Sequence, residues 1–302
     1  MTAKKQLTIC IPTYNRLEFI KKQLEFFYNE FKDDNLLLNR VNIIIGDNAS
    51  TDQTADFLSN YKRERDFFDL VINPNNLGIV GNINNLLELA ETEYVWFVSD
   101  DDELRKGVVR NIFEIIDENK NLNFIFLNFL FFGNRIFSGK TGLRVDSKEA
   151  VNEVFREYYG SLILITACIY KKSNLLELRE NEMKKWLSAP LLYSFYSSSK
   201  GPVYLTKKNW INYRDGQASY ASFKRVSRLK FEEFVPILES LPKYGYDRKE
   251  NIKTIKLFFE KQSHAHFLYN FLNFTNSLKL YKYYGFKAFL QFPFNVLDYL
   301  RK

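Results

Sequence analysis

Short apolar runs recur along the first hundred residues: LTICI (7–11), VNIII (41–45), DLVIN (69–73) and YVWFV (94–98). Each is rich in β-branched or aromatic residues and stops at a turn former or polar residue, at Pro12, Gly46–Asp47, Pro74 and Ser99. Such runs predict buried strands. Between the first two, Leu17, Ile20, Leu24, Phe27 and Phe31 recur at three- and four-residue spacing, which predicts a helix with one apolar face. Ser50 or Thr51 is placed to cap a second helix through ADFLSNYKRE (55–64), and GIVGNINNLLELA (78–90) reads as a loop entering a third. Strand and helix alternate and the strands are apolar on both faces. The expected class is α/β, a mostly parallel sheet flanked by helices.

The second half is less regular. Its pattern predicts a helix near 106–117, a strand over 123–132, a turn around Gly139–Gly142 and a helix near 147–158. LILITACIY (162–170) reads as a strand, and 175–200 as largely helical with an interruption at Pro190. PVYLT (202–206) and NWINYR (209–214) resemble a strand pair closed at Asp215–Gly216. From about 226 onward the periodicity is helical. There is no internal repeat or low-complexity linker. The expected division is one domain over 1–222, with halves 1–105 and 106–222, and a helical extension over 223–302 packing on it.

Of the 302 residues 46% are apolar, enough for a sizeable core. Cys10 and Cys168 lie inside apolar runs and read as buried free thiols in a reducing compartment. The N-terminal residues lack the apolar stretch of a signal peptide. The longest apolar run, FIFLNFLFF (124–132), falls short of the roughly 20 residues of a spanning helix. These features suggest a cytoplasmic protein, soluble or peripheral on a membrane. The net charge is +7, but residues 216–302 hold 15 Lys and Arg against 7 Asp and Glu, so the excess belongs to the C-terminal region.

In parallel sheets ligands bind beyond the carboxyl ends of the strands. Here those ends carry PTYNR (12–16), GDNAST (46–51), NPNNLG (73–78) and SDDDE (99–103). Adjacent carboxylates beside a core repel one another and are costly to bury, so Asp100, Asp101 and Asp102 call for a cation or for open solvent. The chain lacks the glycine fingerprints for dinucleotides and P-loop phosphates. It has no C-x-x-C or H-E-x-x-H, and His264 and His266, two apart, face different sides of a helix, so nothing points to zinc. A hard divalent cation sharing its oxygen ligands with a diphosphate suits the carboxylates.

These segments, IPTYNR, GDNASTDQT, NLGIVGN and the acids after FVS, resemble family 2 glycosyltransferases of the GT-A fold across about residues 6–105. The NLG-x-x-GN and DDD variants are most similar to bacterial O-antigen and capsule enzymes, abequosyltransferases among them. The resemblance implies Pro12, Thr13 and Asn15 at the base and ribose of a nucleoside-diphosphate sugar, and Asp47 on the N–H edge of the base, with Asn48 and Ser50 beside it. It implies Asn82, where many relatives carry Arg, near the ribose or diphosphate. It places Asp100, Asp101 and Asp102 in the metal motif, with Asp101 and then Asp102 as ligands of Mn²⁺ or Mg²⁺ and Asp100 among the cofactor-binding residues. The first Asp of the family's D-x-D aligns with Ser99. Arg214 is expected on the diphosphate. The family's inverting displacement needs a general base, and the E-D pair that supplies it in relatives is missing. Glu182, Glu180 and Asp215 are the candidates.

Residues 276–302 interleave Lys279, Lys282, Lys287, Arg301 and Lys302 with Phe and Tyr. The segment reads either as an interfacial helix on an anionic membrane, consistent with a polyprenyl-diphosphate-linked acceptor, or as a terminal helix packing on the core. The leading expectation is a metal-dependent inverting glycosyltransferase acting on a glycan or lipid-linked oligosaccharide. A catalytically inactive scaffold or membrane-surface module, and a sugar nucleotidyltransferase, are the alternatives. Nucleic acid is not an expected partner.

Overall fold

The structure, a computed structural model, describes residues 5–213, 223–261, 278, 282 and 283. The chain forms two compact units, Met1–Gln217 and Ala218–Lys302. In the first, the order is β1 (Leu7–Thr13), α1 (Leu17–Phe31), α2 (Asn35–Leu38), β2 (Val41–Asp47), α3 (Thr54–Glu64), β3 (Asp69–Ile72), α4 (Gly78–Leu89) and β4 (Tyr94–Phe97). Then follow β5 (Glu103–Leu104), α5 (Val108–Glu118), β6 (Phe124–Phe131), β7 (Asn134–Arg135), β8 (Gly142–Arg144), α6 (Ser147–Glu157), β9 (Cys168–Lys171), α7 (Lys172–Leu176), α8 (Ala189–Ser198) and β10 (Val203–Asn212).

Among the described residues the strands make one mixed sheet in the order β3-β2-β1-β4-β9-β6-β10-β5, with β7 on β6 and β8 on β10. The first four are parallel, as the alternation of strand and helix predicts, and of these β1, β2 and β4 are buried while the edge strand β3 is partly exposed. β9 runs antiparallel to both β4 and β6, and β10 is parallel to β6. With β9 reversed between β4 and β6, the strands β3, β2, β1, β4, β6 and β10 all point the same way. Their carboxyl ends share one edge, where the polar loops gather. The core lies on both faces of β1, β4 and β6, where Ile9, Ile11, Trp96, Phe124 and Phe126 are fully buried. Cys10 and Cys168 are buried free thiols, as expected, and burial pushes the Cys168 thiol up to about 12.

Several local expectations are corrected. LILITACIY is not one strand: 3₁₀ turns over Ser161–Ile163 and Ile165–Ala167 precede β9. Thr166 is drawn to β4 there, its carbonyl accepting from Trp96 Nε1 at 2.8 Å and its hydroxyl from the Ser99 N–H at 2.9 Å. The expected pair at 202–214 is one bulged strand, β10, whose register on β6 slips between Leu205 and Asn209. Thr206 closes the bulge, accepting from the Asn128 N–H and donating to the Lys208 carbonyl. Pro190 starts α8 instead of interrupting it, its missing N–H harmless in a first turn. Ser50 and Thr51 do not cap α3. Ser50 bonds to Asp47, and the Asp52 carboxylate takes the Thr54 N–H.

The second unit contains α9 (Phe223–Arg228), a π-helical turn over Leu229–Phe234, α10 (Val235–Ser240) and α11 (Arg248–Glu260). Asp247 caps α11 by accepting from the N–H groups of Lys249 and Glu250. Phe231, Phe234, Leu238, Phe258 and Phe259 form its core. Most of 276–302 lies outside the described residues. Within it Tyr283 is buried, its ring 5.9 Å from that of Phe259 and its hydroxyl donating to Glu239. No helix among the described residues is long and apolar enough to cross a membrane.

Close approach of α4 to β2 requires Gly46: a Cβ there would lie 2.7 Å from Asn82 Oδ1 and 3.1 Å from Leu86. Gly46→Ala is expected to destabilise the protein by about 1–3 kcal/mol through overpacking, read as a lower urea midpoint.

Candidate active site

Three loops at the shared edge are tied together by side-chain amides and hydroxyls. After β1, Asn15 has a φ of 52°, a left-handed conformation that Asn tolerates. Its backbone N–H donates to Ser50 Oγ at 2.9 Å, and its side-chain carbonyl takes the Thr51 N–H at 2.7 Å. After β2, Ala49 is also left-handed at 60°. That conformation is disfavoured for alanine. It is held by the fully buried Asp47, whose carboxylate accepts from the Ser50 N–H at 3.0 Å and the Ser50 hydroxyl at 2.5 Å.

Behind these loops lies a network of asparagines. Asn48 donates to Asn76 Oδ1 at 2.8 Å, and its own Oδ1 accepts from Asn73 and from the Leu77 N–H. Asn73 also donates to Asn82 Oδ1 at 3.0 Å and accepts from Asn85. The Asn82 amide donates to the Gly46 carbonyl at 2.8 Å. Asn82, expected near ribose or diphosphate, is thus buried, with both ends of its amide joined to protein. It braces the loop after β2 from beneath.

The triple acid follows β4. Ser99 Oγ donates to Asp101 Oδ1 at 2.5 Å, so the serine at the family's first Asp position orients the next acid but one. Thr13 donates to Asp100 Oδ2 at 2.8 Å, joining the first loop to the acids. Arg16, at the start of α1, lies over the Phe19 ring with its Nε 2.9 Å from Asp100 Oδ1, and its Nη2 donates to Asp101 Oδ2. Sequence reasoning passed over Arg16, although it ends the quoted PTYNR. Nor did it find Thr166, which meets Ser99 only because the segment before β9 folds against β4.

Asp100 and Asp102 are both 5% exposed. Burial pushes each up to about 7, against Arg16 and Thr13 at Asp100 and against hydrogen bonding with Thr166 at Asp102. Asp102 Oδ2 is buried without a hydrogen-bond partner. Among the described residues no three His, Cys, Asp or Glu side chains converge on one metal position. An unpartnered carboxylate oxygen at Asp102 and a partly exposed carboxylate at Asp101 fit a cation that takes its other ligands from phosphate and water.

The candidate bases stand apart from this network. Glu182 lies in a 3₁₀ turn between α7 and α8, exposed and paired with Lys185 at 2.8 Å. Glu180 is exposed two residues earlier. Neither is bonded to the acid cluster or the three loops among the described residues. Arg214 and Asp215 lie outside the described residues.

A mostly parallel sheet flanked by helices, with acids after its central strand at the shared edge, is the architecture of the GT-A fold. The chain belongs to glycosyl transferase family 2, whose profile matches residues 8–169, and is a glycosyltransferase. A GalNAc(5)-diNAcBac-PP-undecaprenol beta-1,3-glucosyltransferase of Campylobacter jejuni is 28% identical over 251 residues, 80% of this chain and 77% of that protein. Abequosyltransferase RfbV of Salmonella typhimurium is 31% identical over 118 residues, 38% of this chain and 34% of that one. Staphylococcus aureus TarS 1–349 in complex with UDP-GlcNAc shares the fold, with a TM-score of 0.62 at 19% identity over 89% of this chain and 74% of that one. A mannosyltransferase from Pyrobaculum calidifontis in complex with GDP-Man and Mn²⁺ also shares it, with a TM-score of 0.55 at 12% identity over 98% and 86%.

Raised carboxyl pKa values make the folded state hold protons that the unfolded chain has lost. Between about pH 4 and 7, rising pH therefore lowers stability. In EDTA the Tm is expected to fall across that window, and Asp102→Asn should flatten the fall. A profile unchanged in the variant would remove Asp102 as a source.

Proposed function

We propose that this chain is an inverting glycosyltransferase that moves a sugar from a nucleoside diphosphate to a hydroxyl of a bacterial surface glycan carried on a polyprenyl diphosphate. The observation that carries this reading is the direct link of the nucleotide loops to the acid cluster, through Thr13 and Asp100. The lipid-linked acceptor rests on the Campylobacter relative, and the nucleotide-sugar donor on the complexes of the structural neighbours.

In this mechanism Pro12, Thr13 and Asn15 border the base and ribose, and Asp47 accepts from an N–H of a pyrimidine while Asn48 and Ser50 hold its loop. Asp100 keeps Thr13 in place beside the ribose. Asn82 acts through the loop it braces, and Arg214 meets the diphosphate. Asp101 and Asp102 would hold a divalent cation, Mn²⁺ or Mg²⁺, which when bound would supply charge neutralisation of the leaving diphosphate. The acceptor oxygen bonds to C1 on the face opposite the departing diphosphate, and the hydroxyl proton passes to a carboxylate base. Glu182, Glu180 and Asp215 are the groups proposed for that base, and Lys185 must release Glu182 for it to serve. Residues 276–302 would meet the membrane that carries the acceptor.

A second reading, an inactive scaffold, is favoured by one feature: the first turn of α8 carries no acid. A thermal-melt panel of UDP, CDP, GDP and dTDP with Mn²⁺ or EDTA separates the two readings, together with release of nucleotide from the matching sugar donor. A metal-dependent rise in Tm for one nucleotide is expected, with donor turnover reduced roughly 100-fold in Asp101→Asn. Nucleotide binding without turnover, or no binding of any nucleotide, would overturn the transferase reading and favour the scaffold. A matching panel of Glu182→Gln, Glu180→Gln and Asp215→Asn is expected to single out one variant that binds donor normally but loses transfer.

A further inference from the structure

Arg16 poses a physical question that the site leaves open. Its guanidinium bridges two of the three acids, and the oxygen it holds on Asp101 belongs to the carboxylate most open to solvent. The two contacts differ in environment. Asp100 is nearly sealed, at 5% exposure, and has a second anchor in Thr13. Asp101 is 17% exposed and Arg16 itself 22%, so that half of the bridge opens toward solvent. Arg16 precedes the first turn of α1 with a non-helical backbone, φ −138° and ψ 45°, and caps nothing with its side chain. Its guanidinium plane is supported by Phe19, with 4.4 Å from its carbon to the ring centroid. Among the described residues, the ion pairs of the three neighbouring carboxylates come from Arg16 alone. When a divalent cation arrives, the two cations compete for Asp101.

We propose that Arg16 is a displaceable counter-ion. In the donor-free protein it bridges Asp100 and Asp101, and it yields Asp101 to the divalent cation as the donor's diphosphate arrives to receive its guanidinium. The inference rests on the metal-dependent reading above and assigns Arg16 a positioning role within it. An arginine suits this task because its planar fork binds carboxylate and phosphate alike. Its consequence has a definite sign. Metal binding to the nucleotide-free protein is weakened by the need to displace Arg16. Nucleotide removes that penalty by giving the guanidinium a new partner, so Arg16 couples the binding of metal and nucleotide.

Depletion of the free Mn²⁺ paramagnetic signal tests this with the full chain, as wild type, Arg16→Ala, Arg16→Gln and Asp101→Asn, each with and without UDP. Melts and circular dichroism identify any variant that fails to fold, and either Arg16 variant suffices. Without UDP, removing the guanidinium is expected to tighten Mn²⁺ binding at least about fivefold, the lower end of typical coupling. UDP should then tighten Mn²⁺ binding more in wild type than in the Arg16 variants. Equal or weaker Mn²⁺ binding in both variants, with wild type still binding Mn²⁺ through Asp101 in the presence of UDP, overturns the role of Arg16 and leaves the metal site standing. No Mn²⁺ binding by any form, with or without UDP, overturns the metal reading and this inference together.

Discussion

The site is organised around the cost of holding carboxylates in a protein interior. Asp100 and Asp102 leave the central strand and are buried at once. A buried carboxyl without compensation costs several kcal/mol or gives up its charge. Each neighbour of the cluster answers that cost differently. Thr13 supplies a hydroxyl from β1, Thr166 fixes the chain turn from the far side of β4, Ser99 orients Asp101, and Arg16 brings a positive charge from the start of α1. One oxygen of Asp102 is left without a partner. The cluster thus requires β1, β4 and the turn before β9 to converge, and it exists only in the folded chain.

The neighbouring loops solve a different problem with uncharged groups. Asn48, Asn73, Asn76, Asn82 and Asn85 use one another's amides, and backbone groups, as partners. A satisfied polar network of this kind specifies geometry because any shift leaves a buried donor or acceptor unpaired. It braces the loop after β2, in which the bonds of Asp47 to Ser50 hold Ala49 left-handed. It also explains Gly46, since the Asn82 amide approaches so closely that no side chain fits between. The acids are thus built to exchange partners, whereas the amide network is built to stay as it is.

The nucleotide half of the fold was legible because each of its elements carries its own signal. β1, β2 and β4 are buried along nearly their whole length, its first helix has an apolar stripe, and Pro74 marks the turn after β3, whereas Pro12 and Gly46, expected at strand ends, pair with each other inside β1 and β2. Cys10 and Cys168 were legible for the same reason. The second half was harder to read because long-range contacts override its local pattern. Residues 162–167 are as apolar as a strand, yet Thr166 is held by Trp96 and Ser99, and the chain turns twice before β9 begins. Residues 203–212 contain a polar interruption at Lys207 and Lys208 that suggests a hairpin, yet Thr206 absorbs it as a bulge in one strand.

The same division runs through the site. Sequence alone determined which residues reach the shared edge, because a residue that follows a parallel strand must emerge there whatever its neighbours do. It also determined the chemistry on offer, oxygen ligands and amides with no thiol or imidazole cluster. Tertiary structure alone decided who meets whom. It turned Asn82 inward as a brace, set Ser99 on Asp101 and laid Arg16 across two acids more than eighty residues away in the chain. Such pairings carry no periodicity and no fixed spacing. They follow from the order β3-β2-β1-β4, which places β1 next to β4 and brings the start of α1 to the acids that follow it.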